Sequence, residues 1–373
     1  MMSNLIRKIG GGLALAMFSV LAHAEYAINF QQPVTETASR IIGLHTVTMW
    51  IIVGIAIVVY GAMFWSILKH RKSVGHKAAN FHHNTMVEII WTTIPFIILI
   101  AMAYPATKAI IDMKDTSASD MTVKVTGYQW KWEYDYQQDG IKFMSVLSTP
   151  QDQRENNAPK GEHYLLEVDN PMVVPVGKKV RVLLTANDVI HAWWVPAFGV
   201  KQDAIPGFIR DSWFKAEKVG TYRGQCAELC GKDHGYMPIV VEVKEQADYD
   251  KWVADQKSKV AAASQDAGKV YELAELKTMG EKVFTANCAA CHQANGKGLP
   301  PVFPALDGSK IVTGPKEAQF NIVMNGKDGT AMQAFGKQLS DTDLAAVITY
   351  TRNAWSNKTG EAIQSSDIKA LRK

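Results

Sequence analysis

The sequence predicts a multidomain membrane protein: a two-helix transmembrane hairpin, then an all-β domain, then an all-α domain. Three observations predict it. Two long apolar runs occupy 41–68 and 86–111, apolar and polar residues alternate with period two between about 121 and 244, and helix-like segments flank Cys288-Ala-Ala-Cys-His292. At 373 residues the chain is long enough for more than one domain. A 47% hydrophobic composition with a net charge of +4 suits membrane attachment and argues against a nucleic-acid partner. The four cysteines fall in two pairs, each inside a ligand-like motif, which leaves none over for structural disulfides.

Residues 1–24 read as a signal peptide: Arg7 and Lys8 precede a short apolar core, and Ala22-His-Ala24 offers a small-residue cleavage site. The segment 25–111 then carries the two spans, each longer than the roughly 20 residues a bilayer requires. The loop between them holds Lys69, His70, Arg71, Lys72, His76 and Lys77 and no acid, so it belongs on the cytoplasmic side. Everything after about Asp112 is then expected on the outer face, in agreement with the signal peptide. Glu88 lies at the cytoplasmic start of the second span, where a carboxylate is costly and is a functional candidate; an interfacial, snorkelling acid is the alternative.

The all-β domain is expected over 112–245. Met121, Val123 and Val125 alternate with polar neighbours, Val180, Val182 and Leu184 do the same, and residues 239–243 close the pattern. Just before that last strand comes Cys226-Ala-Glu-Leu-Cys-Gly-Lys-Asp-His-Gly-Tyr-Met237, which brings two thiols, an imidazole and a thioether into one loop. Thiolate, thioether and imidazole together suit copper, whereas a closed zinc site has no use for the methionine. A mononuclear blue-copper site needs one cysteine; two thiolates bridging two coppers would use both Cys226 and Cys230. A second imidazole must come from elsewhere. His191, a polar residue in an apolar strand-like run, is preferred to His163 in a charged stretch. A Cys226–Cys230 disulfide with a surface His234 is the plain alternative.

Residues 246–269 are rich in Lys, Ala, Ser and Gln and read as a linker with some helix. The all-α domain follows over 270–373. Cys288-Ala-Ala-Cys-His292 is the attachment motif for a c-type haem, with both thiols bound to the porphyrin and His292 as the proximal ligand. A thioredoxin-like pair would need a βαβ context, but 271–287 and 341–355 read as helices. Gly280 and Phe284 on the first, with Tyr350 and Trp355 on the second, are candidates for their crossing. No histidine follows His292, so the sixth ligand falls to Met324 or Met332. Met324 sits in a helix-like run, while Met332 lies in a loop before a helix and is preferred. His/Met ligation raises a haem potential and suits electron transfer.

The copper loop, the upstream His191, the hairpin and Tyr128-Gln-Trp-Lys-Trp-Glu-Tyr-Asp-Tyr136 together resemble subunit II of haem–copper cytochrome c oxidases. The last domain resembles class I cytochromes c, which makes the whole a subunit II with a fused cytochrome c, of the caa3 type. The resemblance implies a cupredoxin-like β domain with a dinuclear copper centre, CuA, held by His191, Cys226, Glu228 (through its carbonyl), Cys230, His234 and Met237. It implies that electrons enter at Trp130, with Trp132, Tyr134 and Tyr128 left to packing, and that Glu88 marks a proton path into subunit I. It also implies a Mg or Mn ion shared with subunit I through the Glu228 carboxylate. Implied partners are subunit I, subunit III, membrane lipid and a periplasmic donor such as cytochrome c, at a bacterial inner membrane. Phe208 departs from the pattern by standing where mitochondrial forms usually have Arg.

The implied activity is electron input: donor to haem c, to CuA, to subunit I, where oxygen is reduced with proton translocation. No catalytic residue is expected in this chain itself. A quinol oxidase subunit lacks the cysteine pair, and a nitrous-oxide reductase needs a large His-rich domain that this sequence lacks. A membrane-tethered electron carrier or copper-delivery protein without oxidase partners is the reading from another class.

Overall fold

A computed structural model describes residues 29–77, 82–266 and 269–372; the signal peptide expected over 1–24 lies outside them. The chain divides at residue 32, and residues 29–32 carry no helix or strand. From Pro33 onward the elements form one unit.

Two apolar helices open it, α1 (Glu36–His70) and α2 (Thr85–Lys114). At 1.5 Å per residue, α1 is about 50 Å long and overreaches a hydrocarbon core of about 30 Å. Thr35 caps α1: its hydroxyl oxygen accepts from the Ala38 N–H at 2.9 Å and donates to the Phe198 carbonyl at 2.8 Å. The same residue thus ends the chain's extended approach and fastens the helix to the β domain. Asn84 caps α2 through the Val87 N–H, and Glu88 lies in the first turn, at the end of α2 remote from the β domain. At the other end Arg40 pairs with both Glu36 and Asp112, tying the two helices together.

The β domain is a sandwich of two five-stranded sheets. One has the order β3 (Ile141–Ser145), β2 (Lys131–Tyr136), β1 (Met121–Tyr128), β5 (Lys179–Ala186), β8 (Arg210–Lys215). The other runs β4 (Met172–Pro175), β10 (Pro238–Lys244), β9 (Gly220–Cys226), β6 (His191–Val195), β7 (Val200–Ala204). The β1–β5 and β10–β4 pairs are parallel and the other pairs antiparallel. The alternation read from the sequence is the packing: Val123, Val125, Val180, Val182 and Leu184 are all fully buried between the sheets. A short helix, α3 (Gln151–Arg154), sits in the β3–β4 connection.

The stretch read as a linker begins as helix α4 (Gln246–Asp266). Its first turns carry aromatic residues that dock on the sandwich. Tyr249 is buried and donates to Asp139, and Trp252 lies 5.1 Å from the Tyr136 ring.

The last domain is all helical: α5 (Leu273–Asn287), α6 (Ala289–His292), α7 (Lys310–Thr313), α8 (Lys316–Asn325), α9 (Asp341–Asn353) and α10 (Ser365–Leu371). Helices α5 and α9 cross at the residues read from the sequence. A Cβ on Gly280 would lie 2.0 Å from the Ala346 carbonyl oxygen, so only glycine permits this approach. Phe284 closes the crossing against Tyr350 and Trp355, with ring centroids 5.4 and 5.3 Å away. Arg352, buried in α9, donates to the Val312 and Gly314 carbonyls and so binds the end of α7 to the core.

Candidate metal and haem centres

The copper-loop residues converge where β6 and β9 meet. Strand β6 begins at His191, β9 ends at Cys226, and Trp193 pairs with Cys226 across the ladder. The chain then turns through Cys230 and the 3₁₀ segment His234–Tyr236 before β10. The N–H of Cys226 donates to the Met237 carbonyl at 3.0 Å, which closes this loop at its base.

Four donor side chains face one another. The Sγ atoms of Cys226 and Cys230 are 3.8 Å apart, His191 Nδ1 is 3.9 Å from Cys226 Sγ, and His234 Nδ1 is 3.5 Å from Cys230 Sγ. Both cysteines are free and buried, so the disulfide alternative is not realised. Two thiolates on a shared metal, each about 2.3 Å from it at near-tetrahedral angles, lie about 3.8 Å apart. The spacing therefore fits a bridged metal pair and is far too long for a disulfide. The two imidazoles flank opposite sulfurs. Met237 is fully buried beside them, while the Glu228 side chain is exposed and its carbonyl oxygen lies 3.4 Å from Cys226 Sγ.

Protonation follows from the partners. Asp188 Oδ1 lies 2.8 Å from His191 Nε2, and a carboxylate can only accept, so the ring proton sits on Nε2. This leaves the Nδ1 lone pair directed at the sulfurs. Burial works against a charged His191, yet the Asp188 carboxylate and the Cys226 sulfur together raise its pKa above the ordinary value. Contact with Cys230, and then with His191, lowers Cys226 to about 3; contact with Cys226, and then burial, drives Cys230 strongly upward. A thiol gives up its proton when it binds a metal.

Asp188 is a site residue that the sequence reading missed. Its carboxylate accepts from the Gln129 and Val189 N–H groups, at 2.7 Å each, as well as from His191. A second is Gly127. A Cβ there would meet His191 Cδ2 at 2.8 Å, so the bare glycine is the floor on which the imidazole rests. Trp130, half-buried, donates its Nε1–H to the Cys230 carbonyl at 3.2 Å, and the Gln129 amide donates to the same oxygen at 2.8 Å. Trp132, Tyr134 and Tyr128 are buried, as expected of packing residues. His163 lies in the turn before Leu166 and is absent from the cluster formed by His191, Cys226 and Cys230, whose donor atoms lie within 4.8 Å of one another.

The helical domain presents the second set. Cys288 and Cys291 are free, partly buried and on either side of the start of α6. His292 Nδ1 lies 2.9 Å from the Pro304 carbonyl, so Nδ1 carries the proton and Nε2 is left to bind a metal. Burial lowers the His292 pKa, with the Pro304 bond opposing, which favours the neutral ring that metal binding requires. Cys288 and Met332 pack against one apolar cluster, built on Phe284, Phe320, Phe335 and Leu344. Met324 packs there too, at the end of α8, while Met332 lies in a loop whose backbone is pinned by the Lys327 N–H at 3.0 Å.

Comparison with known proteins agrees along the chain. Residues 121–244 match the family described as cytochrome c oxidase subunit II, periplasmic domain, and 23–109 match its transmembrane domain. Residues 275–350 match the family described as cytochrome c oxidase, cbb3-type, subunit III. A probable cytochrome c oxidase subunit 2 of Rickettsia bellii is 38% identical over 271 residues, spanning 71% of this chain and 97% of the relative. Cytochrome c oxidase subunit 2 of Cereibacter sphaeroides is 37% identical over 260 residues, 66% of this chain and 82% of that one. The crystal structure of the periplasmic domain of subunit II of the Bradyrhizobium japonicum cytochrome oxidase is 48% identical. It covers 39% of this chain and 98% of that one, with a TM-score of 0.35.

Proposed function

The chain belongs to the cytochrome c oxidase subunit II family, and from that premise we propose which of its residues carry electrons and in what order. It is the electron-input subunit of a terminal oxidase of the bacterial inner membrane, with copper and haem c as its cofactors. The copper pair supplies a one-electron relay in which two thiolates share the charge change.

His191 and His234 through Nδ1, with Cys226 and Cys230 through sulfur, would hold the copper pair. Met237 and the Glu228 carbonyl complete the set. Cys288 and Cys291 would attach the haem, and His292 through Nε2, together with Met332, would hold its iron. Trp130, bonded to the Cys230 carbonyl, is the contact through which electrons reach the copper pair. The single observation that supports this assignment best is the line His191 Nδ1–Cys226 Sγ–Cys230 Sγ–His234 Nδ1, with steps of 3.9, 3.8 and 3.5 Å.

The exposed Glu228 carboxylate serves an interfacial Mg or Mn ion with subunit I. Glu88 opens a proton path at the cytoplasmic end of α2. The outward apolar surfaces of α1 and α2 pack on subunit I and on lipid, with subunit III in the same assembly. The donor is cytochrome c or another periplasmic electron carrier.

Electron paramagnetic resonance of the copper-loaded chain tests the assignment. One unpaired electron shared equally by two coppers is expected, and Cys230→Ser should abolish the sharing. A signal from one isolated copper in the unmutated chain would overturn it.

A further inference from the structure

The helical domain touches the β domain at residues that neighbour the ligands of both centres. Gln333, directly after Met332, donates through Nε2 to the Gln129 carbonyl at 3.0 Å and to Asp188 Oδ2 at 3.1 Å. A carbonyl and a carboxylate can only accept, so the amide can face them in one orientation alone. Its own oxygen faces Gln338 Nε2 at 3.4 Å. Two lysines flank this contact. Lys131 Nζ donates to Asn287 Oδ1 at 2.8 Å and stands 5.0 Å from the centre of the Phe335 ring; Lys232 Nζ donates to the Ala290 carbonyl at 2.6 Å. Asn287 precedes Cys288, and Ala290 lies between Cys288 and Cys291. On the facing side, Gln129 and Lys131 bracket Trp130, and Lys232 follows Cys230 by two residues.

Asp188 joins the two sides. One oxygen receives Gln333 of the helical domain and the other faces His191 Nε2 at 2.8 Å. We propose that Gln333 is a positioning residue that latches the Met332 loop onto Asp188. The latch keeps the haem domain seated over Trp130 and creates a short bonded route Met332–Gln333–Asp188–His191 with two hydrogen bonds in it. The flanking lysines give the seat affinity, whereas Gln333 gives it register, because it donates from the helical domain to the carboxylate that orients a copper-binding imidazole. This inference rests on the ligand assignment proposed above.

The test uses the whole oxidase with Gln333→Ala and Gln333→Glu. Two quantities are read: the rate of electron transfer from photoreduced haem c to the copper pair, and acylation of the Lys131 amine followed by mass spectrometry. Lys131 is only 4% exposed, so it should resist acylation while the domain is seated. Losing an amide bond to a carboxylate shifts such a contact by about tenfold or more. Gln333→Ala should therefore slow transfer by about tenfold and expose Lys131. Gln333→Glu, which sets a second carboxylate against Asp188, should do more of both. Wild-type transfer with Lys131 still protected would overturn the latch, and so would slow transfer with Lys131 still protected. Failure of the ligand assignment would show separately, as an unmutated oxidase lacking the shared-electron copper signal or the methionine-ligated haem band. Protection of Lys131 would then decide the domain contact by itself.

Discussion

Substituting Gly127 by Ala should damage the copper site without touching a ligand. The added Cβ would lie 2.8 Å from His191 Cδ2 and 3.0 Å from Cγ, against about 3.4 Å for ordinary contact. Something must yield by about 0.6 Å, the difference between those distances. The strand is poorly placed to do so, since Gly127 is paired with Trp132 on one side and Ala186 on the other. The ring is poorly placed too: it is fully buried, held by Asp188, and edged by the Trp132 indole with centroids 5.9 Å apart. Overpacking of this kind costs about 1–3 kcal/mol. In a domain of this size that lowers the melting temperature by roughly 4–15 °C. A displacement of His191 Nδ1 by half an ångström also exceeds the tolerance of about 0.2 Å for a metal-ligand distance. The two imidazoles would then bind unequally. Electron paramagnetic resonance of the copper-loaded Gly127→Ala chain should show an electron no longer shared evenly, and thermal melting of the apo chain should show the loss. An unchanged copper spectrum together with an unchanged melting temperature would refute the packing reasoning.

Two further outcomes are expected. Met332→Ala should lower the haem potential and abolish the methionine-to-iron absorption band, while Met324→Leu, in the core beside Gly336, should leave both unchanged in a spectroelectrochemical titration. Lys131 should impose a pH dependence on stability. Burial lowers its pKa from the ordinary 10.5 to about 8, so between those values the unfolded chain binds more protons than the folded one. Stability should therefore gain up to about 3 kcal/mol as pH rises from 8 to 10.5, and Lys131→Met should lose that gain. Denaturant midpoints of both proteins at pH 7.5 and 10 measure the difference; parallel behaviour would exclude the buried charge.

What was legible in the sequence, and what was not, divides along a physical line. Cysteine, histidine and methionine are chemically marked, so their grouping in one loop announced copper before any fold was known. The strands were equally open, because Val123, Val125, Val180 and Val182 alternate with the pleat. Asp188, Gly127 and Gln333 carry no such mark. Gly127 acts only because the β1–β5 register places it beneath an imidazole 64 residues later in the chain. Lys131 and Glu133 occupy strand positions that alternation assigns to water, and both are buried, Lys131 against Asn287 from another domain and Glu133 against Lys142. Ala, Ser and Gln content points to a linker but says nothing of Tyr249 and Trp252, two of the residues by which α4 docks.

Two of the three histidines proposed as ligands, His191 and His292, carry the same lesson further. His191 is bound at Nε2 by a carboxylate, and His292 at Nδ1 by a carbonyl, so opposite nitrogens are left for the metals. The residue type says that an imidazole is available; the neighbour on its far nitrogen says which lone pair, and in which direction. In His191 that neighbour is only three residues away, within one turn of chain, yet its second oxygen answers to Gln333 in another domain. The orientation of the His191 imidazole, proposed as a copper ligand, is thereby tied to the seating of the helical domain, because one Asp188 oxygen faces the ring and the other receives Gln333.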